Sequence, residues 1–203
     1  MNENIMKRNE KLSKKVIKGL SSRNMDGYYA EGRDEALKIA LSLIEEGSTI
    51  SMGGSMSAQE IGLIDAVHDG NYKFVDSHDD FTAACSADVF LTSCNAMTED
   101  GVLVNIDCNS NRVAAIAYGP AKVIVIAGMN KICDDVDGAM KRARNVAAPV
   151  NAQRFRLSTP CSKTGSCMDC KSPDTICCQF LITRYSHHKG RIHVILVNDA
   201  LGF

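Results

Sequence analysis

STISMGGSMSAQEIGLIDAVHDG, residues 48–70, changes its hydrophobic period within a few residues. Thr49 to Met52 reads as a short buried strand, Gly53 and Gly54 interrupt it, and Ile61, Ile64 and Val67 then recur at helical spacing in a segment opening near Ser57. The unit is strand, glycine loop, helix, the opening of an α/β fold. The stretch before it, EGRDEALKIALSLIEEG from Glu31 to Gly47, places Ala36, Leu37, Ile39, Ala40, Leu43 and Ile44 on one helical face, with Gly47 as a stop.

Working outward, the alternation continues through β-rich segments at 72–76, 88–93, 101–107, 114–119 and 121–128, and again at 191–199. AKVIVIAG, 121–128, is almost wholly apolar, which suits a central strand covered on both faces. Residues 134–155 predict a helix that ends near Pro149. Strands alternating with helices predict a largely parallel sheet flanked by helices. DG at 100–101 and NSN at 109–111 are hairpin-turn chemistry, so two antiparallel hairpin insertions in the sheet are expected.

With 203 residues and 45% hydrophobic content, the chain can bury one substantial core, and a single domain over 1–203 is expected. Lys and Arg number 23 against 24 Asp and Glu, so no global field exists to gather nucleic acid or anionic lipid. The basic run KRNEKLSKKVIK carries Leu12, Val16 and Ile17, with Leu20 just beyond it, at helical spacing, so residues 1–22 read as an amphipathic helix with a solvated basic face. No run of about 18 apolar residues spans a bilayer. The polar start MNENIMKRNEKL lacks the apolar segment of a secretion signal, so a reducing cytoplasmic setting is expected.

In SMGGSMSAQE, Gly53 and Gly54 permit close backbone approach and the serines supply hydroxyls, an arrangement that suits a small anion and equally serves turn geometry. Asn95, Thr98, Glu99, Asp100, Asn105, Asp107, Asn109, Asn111 and Arg112 crowd into and between strands, where they would bind a polar ligand or complete turns. The segments 51–57, 95–100 and 128–131 each follow a predicted strand, so they are expected to converge beyond the strands' carboxyl ends in one recess.

Taken in order, SMGGSMSAQEIGL, ADVFLTSCNAMTEDGVLVNIDCNSNRVAAIAYGPAKVIVIAGMNKI, TPC and GRIHVILVNDALGF resemble the lactate-utilisation LUD domain family, roughly from Lys7 to Phe203. The resemblance implies a fold similar to the superfamily of ribose-phosphate isomerases, glucosamine-phosphate isomerases and CoA transferases, whose glycine loop faces phosphate- or CoA-bearing substrates. By motif it implies a pocket lined by Gly53, Gly54, Ser55 and Ser57, with Glu60 on the next helix. The family's central block matches Asn95, Thr98, Asp100, Asn105, Asp107, Asn111 and Arg112, and its NKI ending matches Asn130 and Lys131. Glu60 and Asp100 are the candidate catalytic carboxylates, and Lys131 or Arg112 would hold a carboxylate or phosphate.

Five of the nine cysteines lie within residues 159–178. Cys161, Cys167, Cys170 and Cys177, with Cys178 as a spare or alternative ligand, form C-x5-C-x2-C-x6-C-C, four soft donors in a loop with almost no apolar residues. The pattern fits a cage for zinc or an iron-sulfur cluster; a redox dithiol and an aerobic disulfide are the rivals. Membership of some relatives in an iron-sulfur assembly oxidising lactate tips the resemblance toward the cluster. Cys85, Cys94, Cys108 and Cys133 read as buried free thiols. His68, His78, His187, His188 and His193 do not make a ligand set: the first two are expected to be exposed, the next pair to lie at a surface turn, and His193 within a strand.

The expected function is therefore oxidation or utilisation of lactate or a related 2-hydroxy acid, with iron-sulfur partner subunits and a small anionic ligand. A stand-alone isomerase or acyl/CoA transferase using the same pocket is the alternative, and an interaction protein whose cysteine loop docks onto an electron-transfer partner is a third. A homo-oligomer is compatible with all three.

Overall fold

The computed structural model describes residues 2–76 and 80–203. The chain begins with helix α1 (Glu3–Ser22), which buries Val16 and Leu20 and leaves its lysines in solvent. It continues through β1 (Asp26–Ala30), α2 (Arg33–Ser42), β2 (Thr49–Met52), α3 (Met56–Glu60), α4 (Leu63–Asp69), β3 (Lys73–Asp76), α5 (Phe81–Cys85) and β4 (Val89–Thr92). The hairpin β5 (Ala96–Thr98) and β6 (Leu103–Asp107) follows, then α6 (Asn111–Ala117), β7 (Lys122–Gly128) and a 3-10 turn over Met129–Lys131. β8 (Ile132–Cys133), α7 (Val136–Arg142), α8 (Ala148–Ala152), α9 (Pro160–Thr164), β9 (Gln179–Thr183) and β10 (Ile192–Val197) complete the order.

The main sheet has six strands in the order β1-β10-β7-β4-β2-β3, every pair parallel. Alternate side chains of its centre enter two different cores. Val123, Val125, Val194 and Leu196 pack with α1 and α6, whereas Ile124, Ile126, Ile195 and Val197 pack with α2, α3 and α4. A strand buried on both faces must be apolar at successive positions, which is why 121–128 reads as it does.

A second sheet, β8-β5-β6-β9, holds the antiparallel pairs. The DG hairpin forms as expected, but in this separate sheet rather than as an insertion in the main one. Its tip lies backbone to backbone on α1: Gly101 has φ 88, and a Cβ there would stand 2.5 Å from the Leu20 nitrogen. The sheet's other face covers a small core of Ala96, Val104, Ile106, Ala139 and Ala143.

Five local expectations are corrected. Residues 114–117 belong to helix α6 and 118–119 form its exit, not a strand, because the Asp107 carboxylate accepts from Val113 N at 2.9 Å and turns the chain into a helix. NSN at 109–111 is accordingly that helix's entry, with Ser110 at φ 66, rather than a hairpin turn. The helix expected to end near Pro149 runs on to Ala152, since a π-type segment over Ala143–Ala147 widens the turn before the proline and lets its ring clear the preceding carbonyls. The helix starting near Ser57 breaks at Gly62, φ 76, into α3 and α4. Among the four scattered cysteines, Cys94 is buried while Cys85, Cys108 and Cys133 are half-buried.

His68, His187 and His188 are exposed, and His193 is buried in β10, its Nε2 donating to Gly190 O at 2.8 Å. His78 lies outside the described residues. No helix among the described residues is long and apolar enough to cross a membrane.

Candidate functional site

Three chain segments that leave the carboxyl ends of β2, β4 and β7 meet at one side chain. Lys131, at the end of the turn after β7, donates to Ser57 Oγ at 3.1 Å, Ser93 Oγ at 3.0 Å and the Cys94 carbonyl at 3.0 Å. Ser57 and Ser93 also approach each other at 3.3 Å. All three are buried, Lys131 at 3% and Ser57 at 1% exposure, so the meeting point is filled by side chains.

Around this centre the expected residues take distinct places. Asn105 is buried and donates to Ser93 O at 2.9 Å. Arg112 donates to Ser93 O, to Asn95 Oδ1 and to Ile106 O, and its stem lies where a Gly53 side chain would stand. Ser55 caps α3 by accepting from Ala58 N, and Gly54 stands exposed in the loop. Asp107 caps α6, and Asn111 is that helix's first residue.

Asn130 and Glu60 both grip the 199–202 segment. Leu201 N donates to Asn130 Oδ1 at 3.2 Å, and Gly202 N donates to Glu60 Oε2 at 3.0 Å. Gly202, at φ 53, sits so tightly over the centre that a Cβ there would be 2.7 Å from Ser57 Oγ. Asp100 and Thr98 are elsewhere, in the β5-β6 hairpin, where Thr98 Oγ1 donates to Asp100 and Arg23 from the end of α1 pairs with it. The Asp100 carboxyl is held below its ordinary pKa first by the Thr98 hydroxyl and then by Arg23.

Electrostatically the centre is cationic. Lys131, Arg112 and Arg142 make no ion pair with a carboxylate among the described residues. Their partners are neutral hydroxyls, amides and carbonyls; Arg142, missed by the sequence reading, donates to Asn130 O at 2.9 Å and to Asn95 O. Burial lowers the pKa of Lys131 to about 8, and burial likewise lowers those of Arg112 and Arg142. A buried cation without a counter-charge is costly, and an anion brought among the three would relieve that cost.

The cysteine loop makes a second candidate site. Cys161, Cys167, Cys170 and Cys177 all line one cavity of about 80 Å³, with Arg144, Met168 and Phe180 among its walls. Burial, then the neighbouring Cys167, Cys161 and Cys170, push the Cys177 thiol up to about 11. Arg144 donates to Cys167 Sγ at 3.8 Å and pairs with Asp169. Among the described residues, no group of three or more His, Cys, Asp or Glu side chains is placed to hold a single metal ion. The four sulfurs thus share a cavity without closing on one point. The loop is ordered by hydrogen bonds, including Ser158 N to Asp174 Oδ2 at 2.9 Å and Ser162 Oγ to Thr159 O at 2.7 Å.

No curated protein matches the chain. Its fold is similar to that of the crystal structure of a DUF162 family protein from Deinococcus radiodurans, with a TM-score of 0.55 at 15% identity, over 94% of this chain and 98% of that one. Residues 13–197 match the LUD domain family, so the chain belongs to it.

Proposed function

We propose that this LUD-domain protein acts in the utilisation of lactate or a related 2-hydroxy acid, with the small anion held at the carboxyl ends of β2, β4 and β7. The observation that carries the reading is Lys131, a buried ammonium group whose hydrogen-bond partners are two serine hydroxyls and a carbonyl. A substrate carboxylate would supply the missing negative charge, with Arg112 as a second cation. Ser57 and Ser93 would orient the neighbouring hydroxyl. Glu60, within the same wall, would take the hydroxyl proton once released from Gly202, whereas Asp100 is committed to Arg23. Entry requires the 199–202 segment to swing off Ser57, since Gly202 covers it.

Electron transfer to an iron-sulfur partner subunit would run through the cysteine loop. Four soft donors around one cavity fit a thiophilic group, and Cys161, Cys167, Cys170 and Cys177 would hold it. A zinc ion needs its sulfurs at about 2.3 Å from one point, and four thiolates equally suit an iron-sulfur cluster. Such a cluster would supply one-electron chemistry.

A ligand screen by thermal unfolding tests the anion reading, because a ligand that binds only the native state stabilises it by mass action. L-lactate and other 2-hydroxy acids should raise the melting temperature of the wild type and fail to do so with Lys131→Met. Stabilisation by CoA esters or sugar phosphates, with none by hydroxy acids, would move the protein into the transferase or isomerase class.

A further inference from the structure

Cys108 and Cys178 belong neither to the Lys131 centre nor to the four-thiol cavity, yet they converge. Asp107 lies opposite Gln179 at the end of the antiparallel β6-β9 ladder, so Cys108 leaves that end on one chain segment and Cys178 enters it on the other. The Cys178 amide donates to Asp107 O at 2.9 Å and holds the two chains together there. Both thiols point at one acceptor: Cys108 Sγ donates to Thr175 O at 3.4 Å and Cys178 Sγ to the same oxygen at 3.6 Å. Sharing that oxygen sets the two sulfurs side by side.

A disulfide bridges Cα atoms about 4.4–6.8 Å apart, and the common Thr175 oxygen brings the two thiols to one place at the end of the ladder. The pair is also asymmetric, since Cys178 is exposed and Cys108 half-buried. One sulfur meets reagents in solution and the other waits behind it, the layout of an attacking and a resolving cysteine.

We infer that Cys108 and Cys178 form a reversible dithiol-disulfide site whose co-reactant is a small-molecule disulfide such as oxidised glutathione. The Cys178 sulfur attacks one sulfur of the reagent, forming a mixed disulfide and expelling one thiol equivalent. The Cys108 sulfur then attacks the Cys178 sulfur of that mixed disulfide and expels the second. The protein loses two protons and two electrons, and the reagent disulfide gains both to become two thiols. The new bond ties the end of the cysteine loop to β6 one residue from Cys177, so it clamps one wall of the four-thiol cavity. The inference does not depend on what that cavity holds.

The test is anaerobic equilibration of the reduced full-length protein in glutathione buffers of rising oxidised fraction. Free thiols are then alkylated and the peptides mapped by mass. The Cys108–Cys178 linkage should be the first intramolecular disulfide to appear and should disappear on return to reduced glutathione. Cys108→Ser should instead accumulate glutathione on Cys178. A Cys167–Cys170 or other linkage forming first, with Cys108 and Cys178 still alkylatable, would overturn the inference. So would a Cys108→Ser protein with no glutathione on Cys178. The wild-type titration decides the matter even if a variant folds poorly.

Discussion

Lys131 Nζ donates to Ser57 Oγ at 3.1 Å, joining the end of central strand β7 to the first turn of α3 across a buried junction. The bond turns two loops that are distant in sequence into one cationic centre, and it makes the protonation of a single lysine visible in the stability of the whole fold.

That stability should depend on pH in a defined window. Burial lowers the folded-state pKa of Lys131 to about 8 from 10.5. Between those values the unfolded chain binds a proton that the folded chain has released, so stability rises with pH there, and below pH 8 the full cost of burying the charge is present. Relative to Lys131→Met, the wild type should gain about 3 kcal/mol from pH 8 to pH 10.5. Denaturant unfolding of both proteins across that range measures it; parallel profiles would show that Lys131 titrates normally.

Gly202→Ala should loosen the covering segment. The residue's φ of 53 disfavours a side chain, and the new Cβ would press to 2.7 Å from Ser57 Oγ. A loss of about 1–3 kcal/mol is expected. It should be accompanied by faster amide exchange at 201 and 202, where the bonds to Asn130 and Glu60 are broken, and by unchanged protection in β7. Uniform acceleration through the main sheet would mean that the segment is part of the global core instead of a cover.

Metal uptake by the four-thiol cavity should be steeply pH-dependent. Burial and the adjacent cysteines raise the Cys177 thiol to about 11, so binding there must displace its proton. Cobalt titrations followed by the thiolate charge-transfer band should show affinity rising with pH, and Cys177→Ser should reduce the slope by about one proton. A slope unchanged in Cys177→Ser would remove that residue from the ligand set.

The order of strands and helices was legible because hydrophobic period is a local property. β7 and β10 are apolar at successive positions, and α1 keeps Val16 and Leu20 on one stripe. β1 and β9 were missed because DGYYA and QFLIT become strands only through pairing with β10 and β6. Residues 114–119 were misassigned because a β-like apolar run was overridden by a cap four or more residues upstream. At the centre, the glycine-serine loop and Lys131 were legible as motif positions, whereas Arg142 had no local mark of its role.

The sequence by itself determined the α/β class, the family, and the residue types able to meet an anion or a thiophilic group, since these follow from period, motif order and side-chain chemistry. Tertiary structure alone decided which of them meet. It joined Lys131 to Ser57 and Ser93, sent Asp100 to Arg23, and brought Cys108 beside Cys178. The reason is that proximity between residues far apart in the chain is set by sheet order and register, and a change of one residue in register turns a side chain to the opposite face.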